Sequence, residues 1–200
     1  MIISVTNRLL CKGNFLERIE KIAKAAPHSI ILREKDLRDE KYEKLAAECL
    51  EICTMHGVPL VINSNIAIAE KLKIPDIHLS TELFKENCGR LGAFKNVGVS
   101  VHSPEEAIMA EKFGAAYLIA GHIFQTDCKK GMPPKGLDFL RQVCEAVSIP
   151  VAAIGGISEL NAESVLRTGA KGICVMSGLM ACEEPENKIY KYKMLLDRKY

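Results

Sequence analysis

Short apolar runs and amphipathic stretches alternate eight times along this 200-residue chain. That alternation predicts an α/β fold of the (β/α)8 TIM-barrel class, as a single compact domain spanning residues 1–200. Two further observations point the same way. The runs are continuously apolar, as parallel strands covered on both faces must be. Polar and small residues collect just after each run, where such barrels place their working site. The length is at the small end for the fold, and a doubly wound open sheet is the competing arrangement.

The elements follow in order. A strand at 2–5 precedes a helical pattern at 14–25. A strand at 30–32 precedes 40–56, where Leu45, Cys49, Ile52 and Met55 form an apolar stripe at helical spacing. Strands at 59–62 and 76–79 lead to helical stretches at 65–72 and 81–91. The strand at 96–101 leads to 104–113, which has a full set of boundary signals. Ser103 supplies an N-cap hydroxyl, Pro104 the first helical position, Glu105 and Glu106 first-turn acids, and Gly114 the stop. A strand at 116–120 reaches its helix at 137–147 only through the connection 121–136. That is about 16 residues, against the 2–6 usual for a strand-to-helix turn. Strands at 150–154 and 172–176 lead to 160–168 and to a short turn at 178–181, and a helix at 186–198 follows.

Composition narrows the function classes. Charged residues are 26%, apolar residues 48%, and net charge is only +2 with both signs dispersed. Nucleic acid is therefore not an expected partner, since neutralising phosphates takes a concentrated basic face. No apolar run approaches the ~18 residues that suggest a membrane span, so no membrane partner is expected. The first residues enter a strand without a basic leader, which argues against secretion and for a cytoplasmic location. None of the eight cysteines forms a C-x-x-C pair. They read as reduced, mostly buried thiols rather than a metal site, with Cys128 the exception because it lies in the long connection. The oligomeric state is not set by the sequence, and a homo-oligomer is allowed.

The candidate site is read from the strand ends. Gly155-Gly156 after the seventh strand and Met176-Ser177-Gly178 after the eighth suit a phosphate cradle, with backbone N–H groups and the Ser177 hydroxyl as donors. Arg33 and Lys35 alternate along an extended segment and would present two cations to an anionic substrate. His122, just past the sixth strand, is the group best placed to move protons near neutral pH. His28, His56 and His78 read as structural or surface residues. His102 is intermediate, because it too sits just past a strand.

Taken in order, several motifs resemble the thiamin phosphate synthase / TenI superfamily over essentially the whole chain. They are Arg33-x-Lys35, Val61-Ile62-Asn63, Ile77-His78-Leu79, Gly98-Val99-Ser100-Val101-His102-Ser103, the connection through Lys129, Ala153-Ile154-Gly155-Gly156-Ile157 and Val175-Met176-Ser177. The resemblance itself implies a small (β/α)8 barrel. Synthases of the family carry Gln at the position of Ile31, a magnesium-binding Asp at Ser64, and a second at about Leu83. Losing both carboxylates removes the acceptors a hard cation needs.

The connection Gly121-His122 through Phe124-x-Thr126-Asp127-Cys128-Lys129-Lys130-Gly131 looks instead like that of TenI-type thiazole tautomerases. In those proteins the histidine at the position of His122 is implicated in proton transfer. The resemblance thus implies an isomerase of thiamin biosynthesis that aromatises a carboxythiazole phosphate without a cofactor. His122 would be catalytic. Arg33, Lys35, Asn63, Ser100, Thr126, Cys128, Lys129, Gly155, Gly156, Met176 and Ser177 would hold the small-molecule thiazole phosphate, and no residue would bind metal. The alternatives are a magnesium-dependent thiamin phosphate synthase and a non-catalytic regulator that binds a phosphorylated ligand.

Overall fold

The structure, a computed structural model, describes residues 1–129 and 131–197. Eight strands form a closed, wholly parallel barrel in the order β1 to β8, with β8 pairing back onto β1. They are β1 (Ile2–Val5), β2 (Ser29–Leu32), β3 (Leu60–Asn63), β4 (Asp76–Ser80), β5 (Asn96–Val101), β6 (Tyr117–Gly121), β7 (Val151–Ile154) and β8 (Gly172–Val175). The helices are α1 (Phe15–Lys24), α2 (Asp39–Met55), α3 (Ile66–Lys71), α4 (Thr81–Asn87), α5 (Pro104–Lys112), α6 (Gly136–Ala146), α7 (Ala162–Leu166), α8 (Ser177–Met180) and α9 (Pro185–Leu196).

Period-two alternation divides each strand between two cores. Ile2, Ile30, Leu60, Ile77, Leu79, Leu118 and Ile173 join the layer between barrel and helices. Ile3, Val5, Ile31, Val61, Ile119, Ala152 and Cys174 fill the barrel interior, with Tyr117, Ile154 and Met176 against them. Several boundaries differ from the sequence expectation for physical reasons. Pro150 has no N–H to donate and stays outside β7, which begins at Val151. The expected helix at 81–91 is α4 followed by a 3-10 segment at Cys88–Ala93, where two glycines weaken the α-helix. On α2 the buried face is Tyr42, Ala46, Cys49 and Cys53. Met55, expected on the core stripe, is 76% exposed because it lies in the last turn. The end of the expected last helix, at Arg198, lies outside the described residues.

The interior is not wholly apolar. His78 on β4 alternates with the outward Ile77 and Leu79 and is buried in the barrel. Its Nε2 lies 2.8 Å from the Ser100 Oγ and its Nδ1 3.3 Å from the Tyr117 hydroxyl. Gly98 leaves the space that the Tyr117 ring occupies. Burial disfavours the imidazolium and lowers the His78 pKa to about 3. Between about pH 6.5 and about 3 the unfolded chain therefore binds a proton here that the folded chain does not, so stability falls as pH drops through that window. Urea unfolding across this range is expected to show a shallower pH dependence in His78→Asn than in the parent. Parallel pH dependences would contradict a ring held neutral by the barrel.

Candidate functional site

The rim at the C-terminal ends of the strands is built from backbone hydrogen bonds that outrun the barrel. Past β6, Ile123 N donates to Ile154 O at 2.9 Å and Phe124 N to Gly155 O at 3.0 Å. The connection then leaves the sheet and returns: Lys135 N donates to His122 O and Gly136 N to Ile123 O, both at 3.0 Å. The excursion between is a compact loop with closed ends, of the kind that commonly carries function. His122 sits at its base, only 8% exposed. Its Nε2 is 3.3 Å from the Met132 carbonyl. A carbonyl only accepts, so Nε2 carries a hydrogen in this contact, and in the neutral ring Nδ1 is then the basic atom.

Gly155 and Gly156 make this approach feasible. Both have positive φ, +102° and +65°. A Cβ at Gly155 would run into the His122 Cβ, and one at Gly156 into the Gln125 carbonyl. Both features select glycine. Asn161 supports the turn, with Nδ2 donating to Gly156 O at 2.9 Å and Oδ1 accepting from Ser158 N at 2.8 Å. On the neighbouring strand, α8 opens at Ser177 immediately after Met176. A side chain at Gly178 would meet the Lys188 ammonium at 3.6 Å, which places a cation from α9 beside the β8 turn.

The opposite side of the rim is ordered by Glu34. This carboxylate is 3% exposed. It accepts from the Thr6 hydroxyl at 2.6 Å and from Arg8 N at 2.9 and 3.1 Å. Arg33 N donates to the same Thr6 hydroxyl at 2.9 Å. Arg8 also pairs with Asp36. Desolvation raises the Glu34 pKa, while its bonds to Thr6 and Arg8 oppose the rise. Arg33 is half-buried, Glu34 buried and Lys35 exposed. Lys35 lies in a turn that the Leu37 N to Glu34 O bond closes, not on the extended segment expected from sequence.

The remaining sequence candidates are less unified. The Ser100 hydroxyl is engaged by His78 rather than free at the rim. Asn63 donates its amide to Ser64 Oγ at 2.8 Å. Thr126 accepts from Cys128 N at 3.4 Å, closing a 3-10 turn at Asp127–Lys129 in which Cys128 and Lys129 are exposed. Lys130 lies outside the described residues. Glu34, Asn161 and Lys188 were not singled out from sequence. Only Glu34 had a local signal, as the residue between two rim cations.

The donor set does not fit a magnesium site of the synthase pattern. Ser64 and Asn63 offer a hydroxyl and an amide, and Leu83 an aliphatic side chain, at the positions where the resemblance implies carboxylates. Among the described residues no three His, Cys, Asp or Glu side chains are grouped to hold a metal. Two cavities, of about 890 and 460 Å3, open at the other end of the barrel around Met1, His28 and Lys171, and Asp76 and Tyr117. That end holds none of the strand-end groups described above, and barrels of this class work at the opposite face. None of the described helices is long and apolar enough to cross a membrane.

The Glu34 arrangement is testable. Glu34→Ala strands the Thr6 hydroxyl and the Arg8 amide, and a stability loss of roughly 3 kcal/mol is expected from urea unfolding. A loss below about 0.5 kcal/mol, the size of an ordinary surface change, would contradict the anchoring role.

Residues 2–179 match the family described as thiamine monophosphate synthase. The thiamine-phosphate synthase of Clostridium botulinum strain Hall is 33% identical over 198 residues, covering 97% of this chain and 96% of that protein. The thiamine-phosphate synthase of Clostridium novyi strain NT is 37% identical over 180 residues, 88% of each. Among solved structures, the thiamine phosphate pyrophosphorylase of Pyrococcus furiosus superposes with a TM-score of 0.84 at 29% identity, covering 98% of this chain and 95% of that one. A barrel of matching architecture, a rim with the family's motifs in order and these alignments over nearly the full length agree: the chain belongs to the thiamine monophosphate synthase / TenI family.

Proposed function

We propose that this chain is an enzyme of thiamin biosynthesis acting on a thiazole phosphate, and that its reaction is a cofactor-independent tautomerisation. The observation that carries the reading is the rim chemistry. A buried imidazole is fixed against the β7 glycines, and the family resemblance implies that Ser64 and Leu83 stand at the positions of the synthase carboxylates. The substrate is a dihydrothiazole ylidene with a C2 carboxylate and an ethyl phosphate tail. The C2–H bond breaks and its electron pair forms C2=N3. The former C=N pair forms the ring C4=C5 bond, the exocyclic π bond breaks, and its electrons bind a proton at the exocyclic carbon. The product is the aromatic 2-carboxythiazole phosphate, with no change in redox state.

Each residue has a role in this reading. His122 Nδ1 takes the C2 proton, and the imidazolium returns one to the exocyclic carbon. The phosphate lies against the backbone of Gly155, Gly156, Met176 and Ser177, with Lys188 adding charge. Arg33 and Lys35, and Lys129 from the loop, face the carboxylate and ring. Asn63, Ser100, Thr126 and Cys128 contribute polar contacts, Ser100 through the hydroxyl that His78 orients.

A second reading, magnesium-dependent joining of a pyrimidine diphosphate to thiazole phosphate, is favoured by the comparisons. The relatives are named synthases, and Arg33-x-Lys35 is retained. One assay separates the two. The protein is incubated with the ylidene tautomer, and separately with the pyrimidine and thiazole partners, with and without chelator. Aromatisation that survives chelation and falls about 10²–10⁴-fold in a folded His122→Ala variant is expected. Chelator-sensitive thiamin phosphate formation, with the tautomer untouched, would establish the synthase reading instead.

A further inference from the structure

The pairing of β5 with β6 ends at Val101 opposite Ala120, whereas β6 continues beside β7 through Gly121 opposite Ile154. On the β5 side, the next residue, His102, reaches across with its side chain. Its Nδ1 lies 2.9 Å from the Gly121 carbonyl oxygen. A carbonyl only accepts, so Nδ1 carries the hydrogen and donates it. The acceptor belongs to the peptide group that leads into His122.

His102 is itself held. Its backbone N donates to Glu106 Oε2 at 2.6 Å, and the Thr81 hydroxyl reaches the same oxygen at 3.2 Å. Glu106 N donates to Ser103 Oγ at 3.2 Å, so the first turn of α5 forms a capping arrangement whose acid is turned back onto His102. Thr81 also donates to Ser100 O at 2.6 Å, joining the ends of β4 and β5. An exposed histidine with an anchored backbone and a directed ring is more than a surface residue.

We propose that His102 is a positioning residue. Its imidazole fixes the Gly121 carbonyl and so sets the backbone from which His122 projects. This rests on the reading of His122 as the proton-transfer group, since a small displacement of a reacting group can cost as much as ~10²-fold in rate.

The test compares His102→Ala, which removes the donor, with His102→Asn, whose amide nitrogen can stand close to the position of Nδ1. Turnover of the ylidene tautomer in His102→Ala is expected to lose about ten- to hundredfold in kcat with KM little changed, and His102→Asn to recover most of it. The imidazole resonances of His122 in a 15N-labelled sample are expected to move in His102→Ala and to return toward the parent in His102→Asn. The second readout needs no activity. If the parent protein turns over neither tautomer, the tautomerase reading fails and the resonances alone decide the positioning role. Unmoved His122 resonances in folded His102→Ala, or an unchanged kcat, would overturn it.

Discussion

The rim of this barrel depends on how closely the chain leaving β6 can approach the chain leaving β7. Two hydrogen bonds, from Ile123 and Phe124 to Ile154 and Gly155, carry the ladder beyond the barrel proper. They leave no room for a Cβ at Gly155 or Gly156. The absence of side chains here is a packing requirement, and in the proposed reading it also serves phosphate binding. It lets His122 sit over the β7 turn. The histidine is thus placed by main-chain geometry, which is stiffer than a side chain reaching in from a helix.

Charge is distributed accordingly. The buried carboxylate of the rim, Glu34, is engaged by Thr6 and Arg8, and Asp36 is paired with Arg8. Arg33 and Lys35, both in the connection from β2 to α2, and Lys188 on α9 bring cations from two separate elements. In the proposed reading these cations face the two anionic ends of the ligand. The architecture is shared with the Pyrococcus furiosus thiamine phosphate pyrophosphorylase at a TM-score of 0.84.

Much of this was legible in the sequence because barrel strands buried on both faces must be continuously apolar. All eight were placed within a residue or two. Helix faces were less legible. The α2 stripe lies one position from the expected one at two places, since Ala46 and Cys53 bury where Leu45 and Ile52 are expected to. Within the site, His122, Gly155, Gly156 and Arg33 could be read because they directly follow strands. Ser100 could be located but not understood, because its partner His78 lies on another strand. Glu34 was hidden by its charge, which suggests solvent when only the sequence is considered. Lys188 approaches from α9, and nothing in its local sequence points at Gly178. Residues of this kind are defined by three-dimensional neighbours, and a strand-end rule does not find them.

The central claim is that one imidazole, fixed over an anion-binding turn, performs the chemistry without a divalent ion. A crystal structure of the chain with 2-carboxythiazole phosphate and magnesium both supplied tests this most directly. The account predicts the phosphate against Gly155, Gly156 and Ser177, the thiazole ring within hydrogen-bonding reach of His122, and no cation at Asn63 and Ser64. A magnesium ion held by Asn63 and Ser64, or a ring bound out of reach of His122, would contradict it.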